Sequence, residues 1–238
     1  MRWNLPNILT VIRLIAAVLF VAVYLVLPRP YADWTGVSLF ITAALTDYFD
    51  GLLARKWGQV SNFGKMLDPI ADKAMTMLAL MMLLILYFRD GRTIYFPLES
   101  PWIVGDWILV VPVMVIVFRE VFISGLREFL GGKSANLAVT NLAKWKTTVQ
   151  MVAVAALLIV LLFEHYLVVL SFAMDEASLR AILAGDLEDT LNIRPLYSGR
   201  IYMFNAGFIL IWFAALLTAI TGWDYVVKSR PYFSDNAE

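Results

Sequence analysis

Four aspartates stand between residues 47 and 72 of an otherwise strongly apolar chain. Asp47 and Asp50 are three residues apart and Asp68 and Asp72 are four apart, so on a helix each pair projects from one face. Ionised carboxylates beside hydrocarbon are costly and rarely occur without a partner. Four of them, offering only oxygen ligands, suit a hard divalent cation such as magnesium or manganese. Two such ions can clamp a phosphate between them. Gly51 and Ala54 share the Asp47/Asp50 face and leave room there for a bulky ligand such as a nucleotide, while Arg55 offers a planar cationic fork for phosphate. Gly64 lies between the acid pairs, and Pro69 marks the opening of a second helix. The plainer alternative is a set of helix-end charges solvated at a membrane surface. That alternative accounts for one pair, but poorly for four acids with the glycines and the arginine between them.

A second constellation is cationic. Arg119 and Arg127 lie eight apart, close to one helical stripe, and Lys144 and Lys146 follow a short loop later. Ordinary anchoring at a membrane edge explains Lys133, Lys228 and Arg230. It explains Arg119 less well, because Arg119 falls about two turns inside an apolar run, where an unpaired guanidinium is expensive. Fixed cations of this number argue for an anionic acceptor, since a neutral one would need fewer of them.

The elements that must position these groups are membrane helices. Of 238 residues, 61% are apolar and 16% charged, and the mean hydropathy is +0.75; soluble domains have about a quarter charged residues. The absence of cysteine excludes disulfides, thiolate catalysis and cysteine-ligated zinc. The one histidine, His165, follows Glu164 at the end of an apolar segment and reads as interfacial. A formal net charge of zero gives no bulk attraction to nucleic acid.

Segmentation predicts an all-α polytopic fold with six transmembrane helices in a single domain over 1–238. Met1 to Arg13 reads as an interfacial amphipathic lead-in, with Trp3 at headgroup level. Its apolar run is too long for a signal peptide. Spans are expected at about 13–27, 34–54, 68–88, 107–130, 141–163 and 201–223, with 164–200 an extended external loop rich in acids. The first aspartate pair then ends one span and the second begins the next, so both meet at one membrane face. Thirteen of the nineteen Lys and Arg residues fall on the side of the termini, which the positive-inside rule makes cytoplasmic.

The spacing Asp47-x2-Asp50-Gly51-x2-Ala54-Arg55-x8-Gly64-x3-Asp68-x3-Asp72 resembles the signature of the CDP-alcohol phosphatidyltransferases, with every fixed position filled. The resemblance implies an integral membrane enzyme that moves a phosphatidyl group from CDP-diacylglycerol to an alcohol and releases CMP. It implies two magnesium or manganese ions on Asp47, Asp50, Asp68 and Asp72, with Asp72 also taking the acceptor proton. Gly51, Ala54, Arg55 and Gly64 would border CDP-diacylglycerol. The string Asn4 to Asn7 with Thr10 and Arg13, and the segments around Arg119, Arg127 and Lys144 to Thr147, resemble the bacterial branch whose acceptor is sn-glycerol 3-phosphate. Arg119, Arg127, Lys144 and Lys146 would then hold the acceptor phosphate, with Asn7, Thr10, Arg13 and Thr147 in support. A homodimer in the bacterial cytoplasmic membrane, its active site facing the cytoplasm, is also implied. The resemblance covers about residues 1 to 160 and fades over 164–200. Two alternatives stand beside it. One is another acceptor (inositol phosphate, serine or phosphatidylglycerol). The other is a divalent-cation transporter, against which the placement of the acids at helix ends rather than near the bilayer midplane argues.

Overall fold

Long apolar runs fold as helices because a backbone in hydrocarbon must satisfy its own polar groups. The computed structural model describes residues 5–57, 62–89, 107–131 and 141–233; within its helices the side chains of 5–6, 47–57, 62, 65, 72, 89, 107 and 141–144 fall outside the description. Among the described residues the elements are α1 (Leu5–Val26), α2 (Tyr31–Trp57), α3 (Asn62–Arg89), α4 (Trp107–Leu130), α5 (Asn141–Ser171), α6 (Glu176–Ala184) and α7 (Ile193–Ser229), then a 3₁₀ turn at Arg230–Tyr232. No strand occurs among them, and the fold is all-α and polytopic.

Among the described residues five stretches are long and apolar enough to cross a membrane: Asn7–Val26, Met66–Phe88, Ile108–Leu130, Trp145–Ser171 and Ile193–Tyr232. The remaining expected span, 34–54, falls on α2, which is not among the five and carries Asp33, Asp47 and Asp50 along its 27 residues. Three boundaries differ from the segmentation. Of the stretch read as an interfacial lead-in, the described part forms the first turns of α1, and its polar residues Asn7, Thr10 and Arg13 are buried. The helix expected to open at Asp68 begins at Asn62, with Pro69 inside it. Finally, the expected loop 164–200 is largely helical, because α5 continues to Ser171, α6 follows, and α7 begins at Ile193. The ion pair between Glu164 and Arg200 gives the physical reason for this last difference. These two residues read as span ends; paired across α5 and α7, with Glu164 fully buried, they let both helices run on. At 1.5 Å per residue, the 37 residues of α7 extend for about 55 Å, well beyond the ~30 Å of a hydrocarbon core.

The chain forms two compact units. The first comprises Met1–Ile103 and Val154–Gly207, so it holds α1, α2, α3, the end of α5, α6 and the start of α7. Here α1 packs against both α2 and α3. Small buried residues, Ala17, Ala32, Ala43, Ala71 and Ala79, permit close helix approach. At Gly36 any Cβ would overlap the ring of Tyr24, so α2 meets α1 there only because the residue is glycine. The turn between these helices is tied to α5 by Arg29. Its Nε donates to Asp33 Oδ2 at 2.7 Å, and its Nη2 donates to the Leu161 carbonyl at 3.1 Å. α6 covers a small cluster of Leu167, Leu179, Ile182 and Ile193. The second unit comprises Val104–Ala153 and Phe208–Glu238 and holds α4, the start of α5 and the rest of α7. Ile123, Leu130 and Tyr225 form a buried cluster in it, with Tyr232 packed alongside.

Candidate active site

Both acid pairs lie on helical backbone, Asp47 and Asp50 late in α2, Asp68 and Asp72 early in α3. Only residues 58–61 separate the two helices, so the segments carrying the acids are joined by a short connection. The side chains of Asp47, Asp50, Gly51, Ala54, Arg55 and Asp72 lie outside the described residues, as does that of Lys144. Asp68 is described. It is exposed, and its Oδ1 accepts a hydrogen bond from the Thr10 hydroxyl at 2.7 Å. α1 thus delivers Thr10 to the motif, and Asn7 and Arg13 are buried one turn to either side of it. Gly64 is buried on the first turns of α3.

A hydroxyl donor orients a carboxylate without neutralising it, which is how ligating carboxylates are commonly held. With oxygen as its only donor type, the motif fits a hard divalent cation. Among the described residues no three His, Cys, Asp or Glu side chains are gathered, since three of the four aspartates lie outside the side chains described.

The cations of the second unit are held by residues the sequence reading did not single out. Arg119 Nη1 lies 3.2 Å from Glu120 Oε1, and the Lys146 ammonium pairs with the same oxygen. Arg119 Nη2 also donates to Thr221 Oγ1 at 3.4 Å, while Thr221 in turn donates to the Leu217 carbonyl at 2.8 Å. A Cβ at Gly222 would stand 2.9 Å from Arg119 Cγ, so the arginine stem lies against α7 where a side chain is missing. Arg127 is exposed, with its guanidinium over the Tyr225 ring at 5.5 Å from the centroid, within cation–π range. Arg119 and Arg127 therefore share α4 but not an environment. Thr147 is exposed on α5 next to the buried Lys146. One signal could have found Glu120: a carboxylate deep in an apolar helix needs a cation, and Arg119 precedes it. Nothing local pointed to Thr221, Gly222 or Tyr225, which lie about a hundred residues further on.

Residues 3–177 match the family model described as CDP-alcohol phosphatidyltransferase. Several relatives match over nearly the whole length. A Cereibacter sphaeroides protein named CDP-diacylglycerol–glycerol-3-phosphate 3-phosphatidyltransferase is 48% identical over 236 residues, 99% of each chain. A Rickettsia bellii protein of the same name is 34% identical over 230 residues, 97% of each. One from Salmonella typhimurium is 38% identical over 160 residues, 66% of this chain and 78% of the relative. With the acid motif complete, the family model spanning well over half the chain and relatives aligned from end to end, the chain belongs to the CDP-alcohol phosphatidyltransferase family.

Proposed function

We propose that the protein transfers the phosphatidyl group of CDP-diacylglycerol to sn-glycerol 3-phosphate, giving phosphatidylglycerophosphate and CMP. The observation that carries the acceptor is the burial of Arg119 and Lys146, whose side chains are 15% and 7% exposed. Membrane-edge anchoring needs exposed cations; cations withdrawn from water and held by a carboxylate suit an anionic ligand. The names of the relatives agree with this acceptor.

The roles follow from the motif. Asp47, Asp50, Asp68 and Asp72 would hold two divalent cations, magnesium or manganese, whose charge offsets that of the diphosphate. Thr10 orients Asp68. Gly51 and Ala54 leave space for the cytidine, with Arg55 and Gly64 beside the diphosphate. Arg119, Arg127, Lys144 and Lys146 bind the acceptor phosphate, each charge-assisted hydrogen bond contributing about 1.5–3 kcal/mol. Asn7, Arg13 and Thr147 support these groups. Asp72 accepts the proton of the acceptor hydroxyl as its oxygen bonds to the phosphatidyl phosphorus and the bond to CMP breaks. The diacyl chains stay in the bilayer, so the lipid never leaves it. The setting is the bacterial cytoplasmic membrane with the acids facing the cytoplasm, and the assembly is a homodimer.

CMP release from CDP-diacylglycerol by purified protein, with glycerol 3-phosphate, inositol phosphate, serine and phosphatidylglycerol offered singly, tests the reading. Glycerol 3-phosphate should support the highest rate. A higher rate with another acceptor would reassign the substrate, and metal uptake without CMP release would favour transport.

A further inference from the structure

In the second unit one carboxylate oxygen serves two cations that come from different helices. Glu120 Oε1 takes the guanidinium of its neighbour Arg119 on α4 and the ammonium of Lys146 on α5. All three side chains are less than one-fifth exposed. Two like charges brought this close in a poorly hydrated place repel each other, and each also loses hydration. An anion must sit between them for the arrangement to persist. When a phosphate is bound it can be that anion; before it arrives, Glu120 is.

We propose that Glu120 is a positioning residue for the acceptor phosphate, which it does not itself touch: it holds Arg119 and Lys146 in their binding geometry while the site is empty. The inference rests on the acceptor assignment above. Contacts from α7 also bear on Arg119. Thr221 and the absent side chain at Gly222 confine Arg119 from the α7 side, while Glu120 engages its guanidinium and links it to Lys146. The Ser124 hydroxyl donates to the Glu120 backbone carbonyl one turn away. Cations ordered beforehand lose less freedom on capturing a ligand, and affinity rises accordingly. Glu120 also cancels one of the two charges, so the pair presents a net single positive charge.

The test measures KM for both substrates in Glu120→Gln, Lys146→Met and the double variant. Glu120→Gln should raise KM for glycerol 3-phosphate about tenfold, the scale of one lost charge-assisted hydrogen bond. KM for CDP-diacylglycerol should move by less than about twofold. Because both single variants break the same arrangement, the double variant should show a smaller acceptor effect than the product of the two. Glu120→Asp, which keeps the charge one methylene short, should fall between wild type and Glu120→Gln. If Glu120→Gln proves too unstable to assay, Glu120→Asp carries the test: it should raise the acceptor KM several-fold with the CDP-diacylglycerol KM little changed, and an acceptor KM equal to that of the wild type would overturn the proposal. Multiplicative effects, equal shifts in both KM values, or a lower acceptor KM in Glu120→Gln would each overturn the proposal; a lower KM would mean that Glu120 competes with the substrate. A wild type that releases no CMP with glycerol 3-phosphate, yet does so with another acceptor, would fail the acceptor assignment first and this inference with it.

Discussion

Thr10 donates its hydroxyl to Asp68 across 58 residues of chain, and this bond ties α1 to the acid motif. It separates the roles of the aspartates experimentally. Asp68→Asn should weaken manganese binding, measured directly by spin resonance, and excess metal should restore part of its turnover. Thr10→Val leaves the carboxylate in place but loose, and should raise the metal requirement about 10–100-fold, the usual effect of losing an outer partner of a ligand. Asp72→Asn keeps the shape but loses the basic oxygen. Turnover should fall about 10²–10⁴-fold, the scale of a lost general base, and excess metal should not restore it. Rescue of Asp72→Asn to the same degree as Asp68→Asn would reduce Asp72 to a ligand.

Among the elements, α6 and the start of α7 depend on carboxylates at their N-termini. Asp175 caps α6 by accepting from the Ser178 backbone N–H. The Ser178 hydroxyl, and then that backbone N–H, hold the Asp175 carboxyl below its ordinary value. Burial acts to raise Asp189, but the backbone N–H groups of Arg194 and Ile193, both at 2.8 Å, outweigh it and hold this carboxyl low as well. A carboxyl depressed in the folded state stabilises that state above its unfolded pKa of about 4, and the contribution is lost as pH falls through the lower folded value. Amide protection over 175–196, corrected for intrinsic exchange, should therefore be flat from neutrality to about pH 4 and decline below it. Protection unchanged down to about pH 2 would mean that these caps do not hold the segment.

For the whole molecule, the first unit contains the acids and the second contains Arg119, Arg127 and Lys146. If, as proposed, the acids serve the diphosphate and these cations the acceptor phosphate, both sets belong at the same membrane face, and topology tests this. A reporter fused after Glu238 should read cytoplasmic, and one inserted near Asp186 should read external, following the bias of Lys and Arg toward the side of the termini. An external C-terminus would refute the shared face. The segment around Asp186 belongs to the length shared with the Cereibacter relative, although the family model ends at residue 177.

Some of this was legible from the chain alone. Helical hydrogen bonds are local, joining residues four apart, so apolar runs determined the membrane class and the helices without any tertiary contact, and the three- and four-residue aspartate spacings pointed to the metal–phosphate chemistry proposed here. The unusual depth of Arg119 in its span was visible in the same way. Partners distant in sequence were not. Thr10 with Asp68, Lys146 with Glu120, Arg119 with Thr221, and Glu164 with Arg200 are contacts between helices, and which faces meet depends on packing that no local period encodes. Helix length failed for the same reason: Glu164 and Arg200 look like span ends until each is seen to neutralise the other, after which neither charge obliges its helix to stop.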